Sequence, residues 1–386
     1  MLRMLAATIA LVSFGEVLLL HWLALASGRG GLSLAAALAA FVGIGAANAL
    51  VFPWVRSRIR ARGLTRVLTR TWILGSVGAL FSGVLLGGAF VLASMVGAAA
   101  GEGSDPRAVH VWLGGAVVAL GFGSVAWGAS VGNARVRVDR VPLALRGAAS
   151  RPTPLRVAHI TDLHIGPLLE ADRLVGFVDR INRLEPDLIA ITGDIFDFDP
   201  AYVDAGCRAL AGLTARHGVF AVLGNHDVYT GAETVADGLA QHTGIHLLRD
   251  AWVRVEVEGE TLVVAGAEDS GVGWTERDST HDALERLAAE IPHDLPRLLL
   301  VHRPSYFRHA AELGFPLVLA GHTHGGQVAL PFATHWNPSR MIADRTRGRF
   351  DLGESTLYVS RGLGMAGLPL RLNCPREIAM LELSPR

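Results

Sequence analysis

The chain has 386 residues, of which 51% are apolar and only 18% charged, against ~25% charged in an average soluble protein. Its 35 basic side chains, all arginine, balance 35 acidic ones, so bulk electrostatics gives no case for a nucleic-acid partner. Cys207 and Cys374 stand far apart, which excludes a CxxC metal site and a disulfide framework; both are expected to be free.

The shortage of charge is uneven. Residues 1–132 hold few charged side chains, whereas the rest reads like an ordinary soluble domain. The expected organisation is therefore a transmembrane domain over 1–132, a linker over 133–154 and a catalytic domain over 155–386.

Four apolar stretches, residues 4–26, 32–55, 71–100 and 108–132, each reach the ~20 residues that cross a bilayer as helix. The first carries Glu16 and His21 and is the weakest of the four. A cleavable signal peptide is the competing reading of it, disfavoured by its length and by the three stretches that follow. Glu16 is expected near a helix contact or aqueous pocket, with a proton or ligand pathway as the other reading. Gly43, Gly83 and Gly87 are assigned to helix packing.

Arg56, Arg58, Arg60, Arg62, Arg66 and Arg70 crowd the connection between the second and third stretches. The next connection holds Glu102, Asp105 and Arg107. The positive-inside rule places the arginine-rich connection in the cytoplasm. The expectation is a multi-pass protein of the inner (plasma) membrane with both termini, and so the catalytic domain, on the cytoplasmic side. Arg135, Arg137 and Arg140 agree with that. Residues 133–154, with Pro142, Pro152 and Pro154, read as an extended tether whose arginines meet anionic headgroups or solvent.

Beyond the tether, short apolar runs alternate with amphipathic segments. Strands are expected at 155–160, 188–191, 219–223, 251–257, 262–266, 298–301, 317–320, 356–360 and 378–383, and helices at 168–184 and 282–291. The expected fold is α/β, with mixed β-sheets flanked by helices, behind an all-α four-helix transmembrane domain.

Five of the expected strands run into polar loops: Thr161-Asp162-Leu163-His164, Thr192-Gly193-Asp194, Gly224-Asn225-His226-Asp227, His302, and Gly321-His322-Thr323-His324. Singly, each has a bland reading, such as a helix cap or a hydrogen-bonded histidine. Together they place oxygen and nitrogen donors, and no cysteine, at strand ends, where α/β sheets bind ligands. Hard and borderline divalent metals prefer such donors. His159 lies within a strand and is expected in the core or behind the site. Glu268 and Asp269 follow another strand and could shape a pocket.

In its order of blocks, Asp-x-His, Gly-Asp, Gly-Asn-His-Asp, His, then Gly-His-x-His, the domain resembles the calcineurin-like metallophosphoesterases. His302-Arg303-Pro304, the run from Gly321 to Gln327, and Asn373-Cys374-Pro375-Arg376-Glu377-Ile378 are similar to the bacterial membrane-associated branch. The resemblance implies a metallophosphoesterase-like sandwich and a dinuclear metal centre. Asp162, His164 and His324 would hold one divalent ion, and Asn225, His302 and His322 the other. Asp194 would bridge them. Mn, Fe, Zn and Mg all remain open. His226 would serve the leaving group as a general acid, with Asp227 orienting it. The implied reaction is hydrolysis of phosphomonoester, phosphodiester or pyrophosphate bonds by hydroxide generated at the metals. Tethering makes a lipid-linked phosphate ester one candidate substrate, with membrane lipids as neighbours.

Other readings are a transporter or receptor with a regulatory phosphoesterase-like domain, and an inactive adaptor. The second conflicts with the full set of ligand positions. A metallo-β-lactamase-like hydrolase would need a His-x-His-x-Asp-His cluster, which is missing.

Overall fold

A computed structural model describes residues 2–58, 63–99, 106–147, 153–272, 278–341 and 343–385. The chain divides into two compact units, Met1–Val131 and Gly132–Arg386.

Among the described residues, the first unit is built of α1 (Leu2–Ala26), α2 (Leu34–Ser57), α3 (Gly63–Ala99) and α4 (Pro106–Trp127), closed by a π-helical turn at Gly128–Gly132. All four helices are long and apolar enough to cross a membrane. A Cβ on Gly83 would sit 2.2 Å from the Gly15 Cα, so α1 and α3 touch through their backbones. Asn48 on α2 donates to Glu16 Oε2 at 2.8 Å and to Ser13 Oγ at 3.1 Å, which puts Glu16 at a helix contact.

One boundary differs from expectation. Arg66 and Arg70 lie inside α3, not in a connecting loop. The run Leu64-Thr65-Arg66-Val67-Leu68 has good helix formers, and a search for continuous hydrophobicity does not see a helix that starts outside the apolar stretch. Arg60, Arg62, Glu102, Asp105 and Pro152 lie outside the described residues.

In chain order, the second unit contains β1 (Val136–Leu145), β2 (Leu155–Ile160), α5 (Ala171–Asn182), β3 (Leu188–Thr192), α6 (Val203–Leu210), β4 (Val219–Val222), α7 (Asn225–His242) and β5 (His246–Leu247). It continues with β6 (Ala251–Val257), β7 (Glu260–Gly266), α8 (Ser279–Glu290), β8 (Arg297–Leu300), α9 (Phe307–Glu312), β9 (Leu317–Ala320), β10 (Gly348–Leu352), β11 (Ser355–Val359) and β12 (Arg376–Pro385). Two mixed sheets result, ordered β1-β12-β2-β3-β4-β5 and β10-β11-β9-β8-β7-β6.

The alternation of side chains along a strand makes the layers. Val157, Leu188, Leu298 and Leu317 point into one buried cluster shared by both sheets. Their neighbours Ala158 and Ile189 face the opposite side of the first sheet, where they pack with Leu174, Phe177, Val178 and Ile181 of α5. Those four recur at helical spacing, one apolar face of an amphipathic helix. Leu299 and Val318 likewise meet Leu284 and Leu287 of α8 on the far side of the second sheet. A sheet covered on both faces needs near-continuous apolar strands, which is what these runs are.

The expected linker is partly a strand. β1 pairs in parallel with β12, Val136 opposite Arg376 through Leu145 opposite Pro385. Val136, Val138, Leu143 and Leu145 recur mainly at alternate positions, a pattern hidden by the interleaved arginines and Pro142. The proline is tolerated because β1 is an edge strand. Leu143 is buried in the inter-sheet cluster. Leu143→Ala is therefore expected to destabilise the unit by about 2–5 kcal/mol, seen as a lower thermal midpoint of the purified full chain. A tether would show no change.

Candidate metal centre

The loaded loops leave the C-terminal ends of strands from both sheets. Asp162 and His164 follow β2, Asp194 follows β3, and Asn225 and His226 open α7 after β4. His302 follows β8, and His322 and His324 follow β9. The backbone at five of these is held in the left-handed region: Asp162, His164, Asp194, His322 and His324 have φ between 46° and 71°. Such conformations are uncommon outside glycine and cluster where function demands them. Gly321 is required by crowding, since a Cβ there would meet Thr161 Oγ1 at 2.1 Å and Asp162 Oδ2 at 2.4 Å.

Three overlapping groups of side chains converge closely enough to hold a metal ion: Asp162 with His164 and His324, Asp194 with His302 and His322, and His164 with Asp194 and His226. In the first, the Nε2 atoms of His164 and His324 lie 2.9 Å apart, with Asp162 Oδ1 3.4 Å from the latter. In the second, His302 Nε2 is 2.9 Å from His322 Nδ1 and 3.1 Å from Asp194 Oδ2. That same Asp194 oxygen is 3.5 Å from His164 Nε2, so one carboxylate reaches both groups. His302 Nδ1 lies 2.7 Å from the Thr192 carbonyl, which accepts its N–H hydrogen bond and turns Nε2 toward the site.

Electrostatics prepares these donors. Burial, then the neighbouring His302 for His322 and His164 for His324, pushes both imidazoles well below their ordinary value. They are thus neutral, the form that binds a cation. Burial opposes charge on Asp194, but His302 outweighs it and holds the carboxyl well below the usual range. His302 is raised to about 10, burial opposing and Asp194 prevailing. Burial lifts Asp162. Asn225 is buried and its Oδ1 has no hydrogen-bond donor. An orphaned carbonyl oxygen in a site rich in carboxylate and neutral imidazole is a group that a cation would satisfy.

Asp227 does not orient His226, contrary to expectation. Its carboxylate accepts from the backbone N–H groups of Gly224 (2.9 Å), Ile195 (3.1 Å) and Phe196 (2.8 Å), tying two loaded loops together. Burial, then Asp194, raises it to about 6. The partner of His226 is Asp197, with Oδ1 2.9 Å from Nδ1. Burial works against the Asp197 charge, yet hydrogen bonds from His164 and His226 hold it at about 2. The second carboxylate in Gly193-Asp194-Ile195-Phe196-Asp197 is the only sequence signal for this role, and spacing in a loop does not say where it points.

His226 also packs against Phe198, ring centroids 4.3 Å apart, and Phe198 stacks on Tyr229. A cleft of about 340 Å³ opens here, lined by Asn225, His226, Tyr229, Arg303, His322 and His324 among others. Arg303 is buried and paired with Asp269, Nε to Oδ2 2.6 Å, so Asp269 stands behind a side chain that lines the cleft. Glu268 instead binds Arg249. His159 is buried behind the site, Nε2 2.8 Å from Thr192 Oγ1, and burial lowers it to about 3. Cys207 and Cys374 are free and buried.

The sequence model of the calcineurin-like phosphoesterase family matches residues 155–326. A Campylobacter jejuni protein described as an uncharacterized metallophosphoesterase is 32% identical over 59% of this chain and 59% of its own length. An uncharacterized metallophosphoesterase of Aquifex aeolicus is 33% identical over 60% of this chain and 85% of its own. A bovine transmembrane protein with metallophosphoesterase domain is 28% identical over 66% of this chain and 57% of its own. The chain thus spans less than two thirds of the Campylobacter and bovine proteins. Fold and relatives define a metallophosphoesterase domain, in a chain that also has four helices long and apolar enough to cross a membrane. The chain belongs to the calcineurin-like phosphoesterase family.

Proposed function

We propose that the chain is a membrane-anchored, metal-dependent phosphoester hydrolase with a dinuclear centre. The observation that carries this reading is the reach of Asp194 into two converging donor groups, His164 on one side and His302 on the other. Asp162, His164 and His324 would hold one divalent ion, and Asn225, His302 and His322 the second, with Asp194 between them. When bound, such a pair neutralises phosphoryl charge and activates water near neutral pH.

The chain's own groups do the rest. Asp197 accepts from His226 Nδ1, which leaves Nε2 for the oxygen of a departing alcohol. Held in that orientation, His226 is placed to deliver a proton there. Arg303, fixed by Asp269, presents positive charge along the same cleft. Phe198 and Tyr229 hold the His226 ring against rotation. A substrate panel of phosphomonoesters, phosphodiesters and pyrophosphates, assayed with Mn, Zn, Fe and Mg in turn, tests the reading. Hydrolysis that depends on added metal is expected, and no hydrolysis with any metal would refute it.

We further place the protein in the inner (plasma) membrane as a four-span protein with a cytoplasmic catalytic domain acting on lipid-linked phosphate esters. Arg58, which caps the end of α2, and Arg66 and Arg70 near the start of α3 support that orientation. Alkaline phosphatase fused to the C-terminus is expected to be inactive in cells, and green fluorescent protein at the same point to fluoresce. The reverse pattern would put the catalytic domain outside.

A further inference from the structure

The segment that follows the last histidine loop, residues 328–341, is built at its base and bare at its tip. Val328 bridges Leu372, the Ala329 N–H donates to the Leu372 carbonyl at 2.9 Å, and Asn373 Nδ2 donates to the Ala329 carbonyl at 3.0 Å. At the other end, Ser339 Oγ donates to the carbonyl of Thr323, between His322 and His324, at 2.9 Å. Across the tip, the Leu330 N–H donates to the Trp336 carbonyl at 3.2 Å and the Trp336 N–H to the Ala333 carbonyl at 2.8 Å. The tip is therefore a closed, hydrogen-bonded turn.

This turn directs apolar side chains at solvent. Leu330 is 56% exposed, Trp336 63%, Met341 89%, and Phe332 fully. Single exposed apolar residues need no explanation, but a cluster of large ones on a fixed turn marks a surface that is covered in use. Its chemistry is specific, because tryptophan and phenylalanine favour the interfacial layer of a bilayer. Arg340 is exposed beside it, a cation suited to anionic headgroups. A bilayer is always at hand, since four helices of the same chain are long and apolar enough to cross one. The base of the turn is also the wall of the cleft: Ser339 and Gln327 line it beside His322 and His324.

We propose that the turn at residues 330–341 is a membrane lip. Phe332, Trp336 and Met341 enter the interfacial layer of an anionic phospholipid bilayer, Arg340 meets its headgroups, and the cleft opens on phosphate esters still seated in the lipid. The last clause rests on the phosphoesterase reading; the insertion itself does not.

The test uses the full chain in nanodiscs containing phosphatidylglycerol. Both native cysteines are buried, so a fluorophore can be placed selectively at Phe332→Cys, at Met341→Cys, and at Asp204→Cys on α6 as a solvent control, where the native side chain is 72% exposed. Nitroxide-labelled lipids in the disc should quench the first two and spare the third. Absence of quenching at both tip positions would overturn the proposal, as would cross-linking of Phe332→Cys to a second copy of the chain in place of quenching. In parallel, the double variant Phe332→Ser, Trp336→Ser should hydrolyse a water-soluble aryl phosphate ester at the wild-type rate. Its turnover of a phosphatidyl ester in the disc should fall by at least roughly tenfold, since two aromatic anchors are lost and each alone is worth about that factor. Equal rates on both substrates would contradict the lip. Failure of the wild type on every ester would refute the phosphoesterase reading while the quenching still decides the insertion.

Discussion

Replacing Asp194 by Asn is expected to strip the centre of metal and abolish turnover. The Asp194 carboxylate has one oxygen between His302 and His164, and the other accepts from the His226 backbone at 2.8 Å. An asparagine carbonyl can keep the backbone bond, so the loop should hold its shape. In the proposed dinuclear centre, what would be lost is the negative charge between two cations, which in such sites lie ~3.5–4 Å apart and repel one another. Loss of a supporting partner behind a ligand already costs roughly 10–100-fold in metal affinity or activity, and loss of a shared ligand should cost more. Elemental analysis of the purified variant should show fewer ions per chain than the wild type. Retained metal with near-normal turnover would rule out a bridging role.

His226→Ala should behave differently. The loop position of His226 beside Asn225 does not exclude coordination, and its imidazole does converge with His164 and Asp194. The 2.9 Å contact from Nδ1 to Asp197 favours another role, because a carboxylate there orients the ring and turns Nε2 away from it. If His226 protonates the leaving group, its removal should leave metal content unchanged and lower turnover by about 10²–10⁴-fold. The deficit should be largest for alkyl esters, whose alkoxides need a proton. Nitrophenyl esters leave readily as anions and should lose much less. A variant that loses an ion, or that slows both ester classes alike, would make His226 a ligand. Asp197→Asn should reproduce the leaving-group dependence in milder form, whereas Asp227, whose carboxylate accepts from three backbone N–H groups, should act through folding.

These contrasts mark where sequence reading succeeds. The five strand-end loops were legible because buried strands are continuous apolar runs and the polar donors interrupt them abruptly. Two sheets meeting at one rim bring β2, β3 and β4 to β8 and β9, so the His322 backbone N–H donates to the distant Asp162 carboxylate at 3.0 Å. The role of Asp227 was misread because adjacency in sequence is not adjacency in space. At the start of α7 its side chain turns back to the N–H groups of its own loop and the neighbouring one, leaving His226 to the more distant Asp197. β1 was missed because arginines and a proline obscure its alternation, and its partner β12 lies some 240 residues away in register, Val136 opposite Arg376. The tip at Phe332 was missed for another reason. Exposure of an apolar side chain is a property of the fold, and a short turn rich in phenylalanine and tryptophan reads in sequence like any buried segment.

The most direct measurement is a titration of the metal-stripped full chain with Mn or Zn, following bound ions per chain by elemental analysis and hydrolysis of an aryl phosphate ester on the same samples. Binding that saturates at two ions per chain, with full activity reached only as the second site fills, is the expected result. Saturation at one ion with full activity, or hydrolysis that persists unchanged in the stripped protein, would contradict a dinuclear hydrolytic centre.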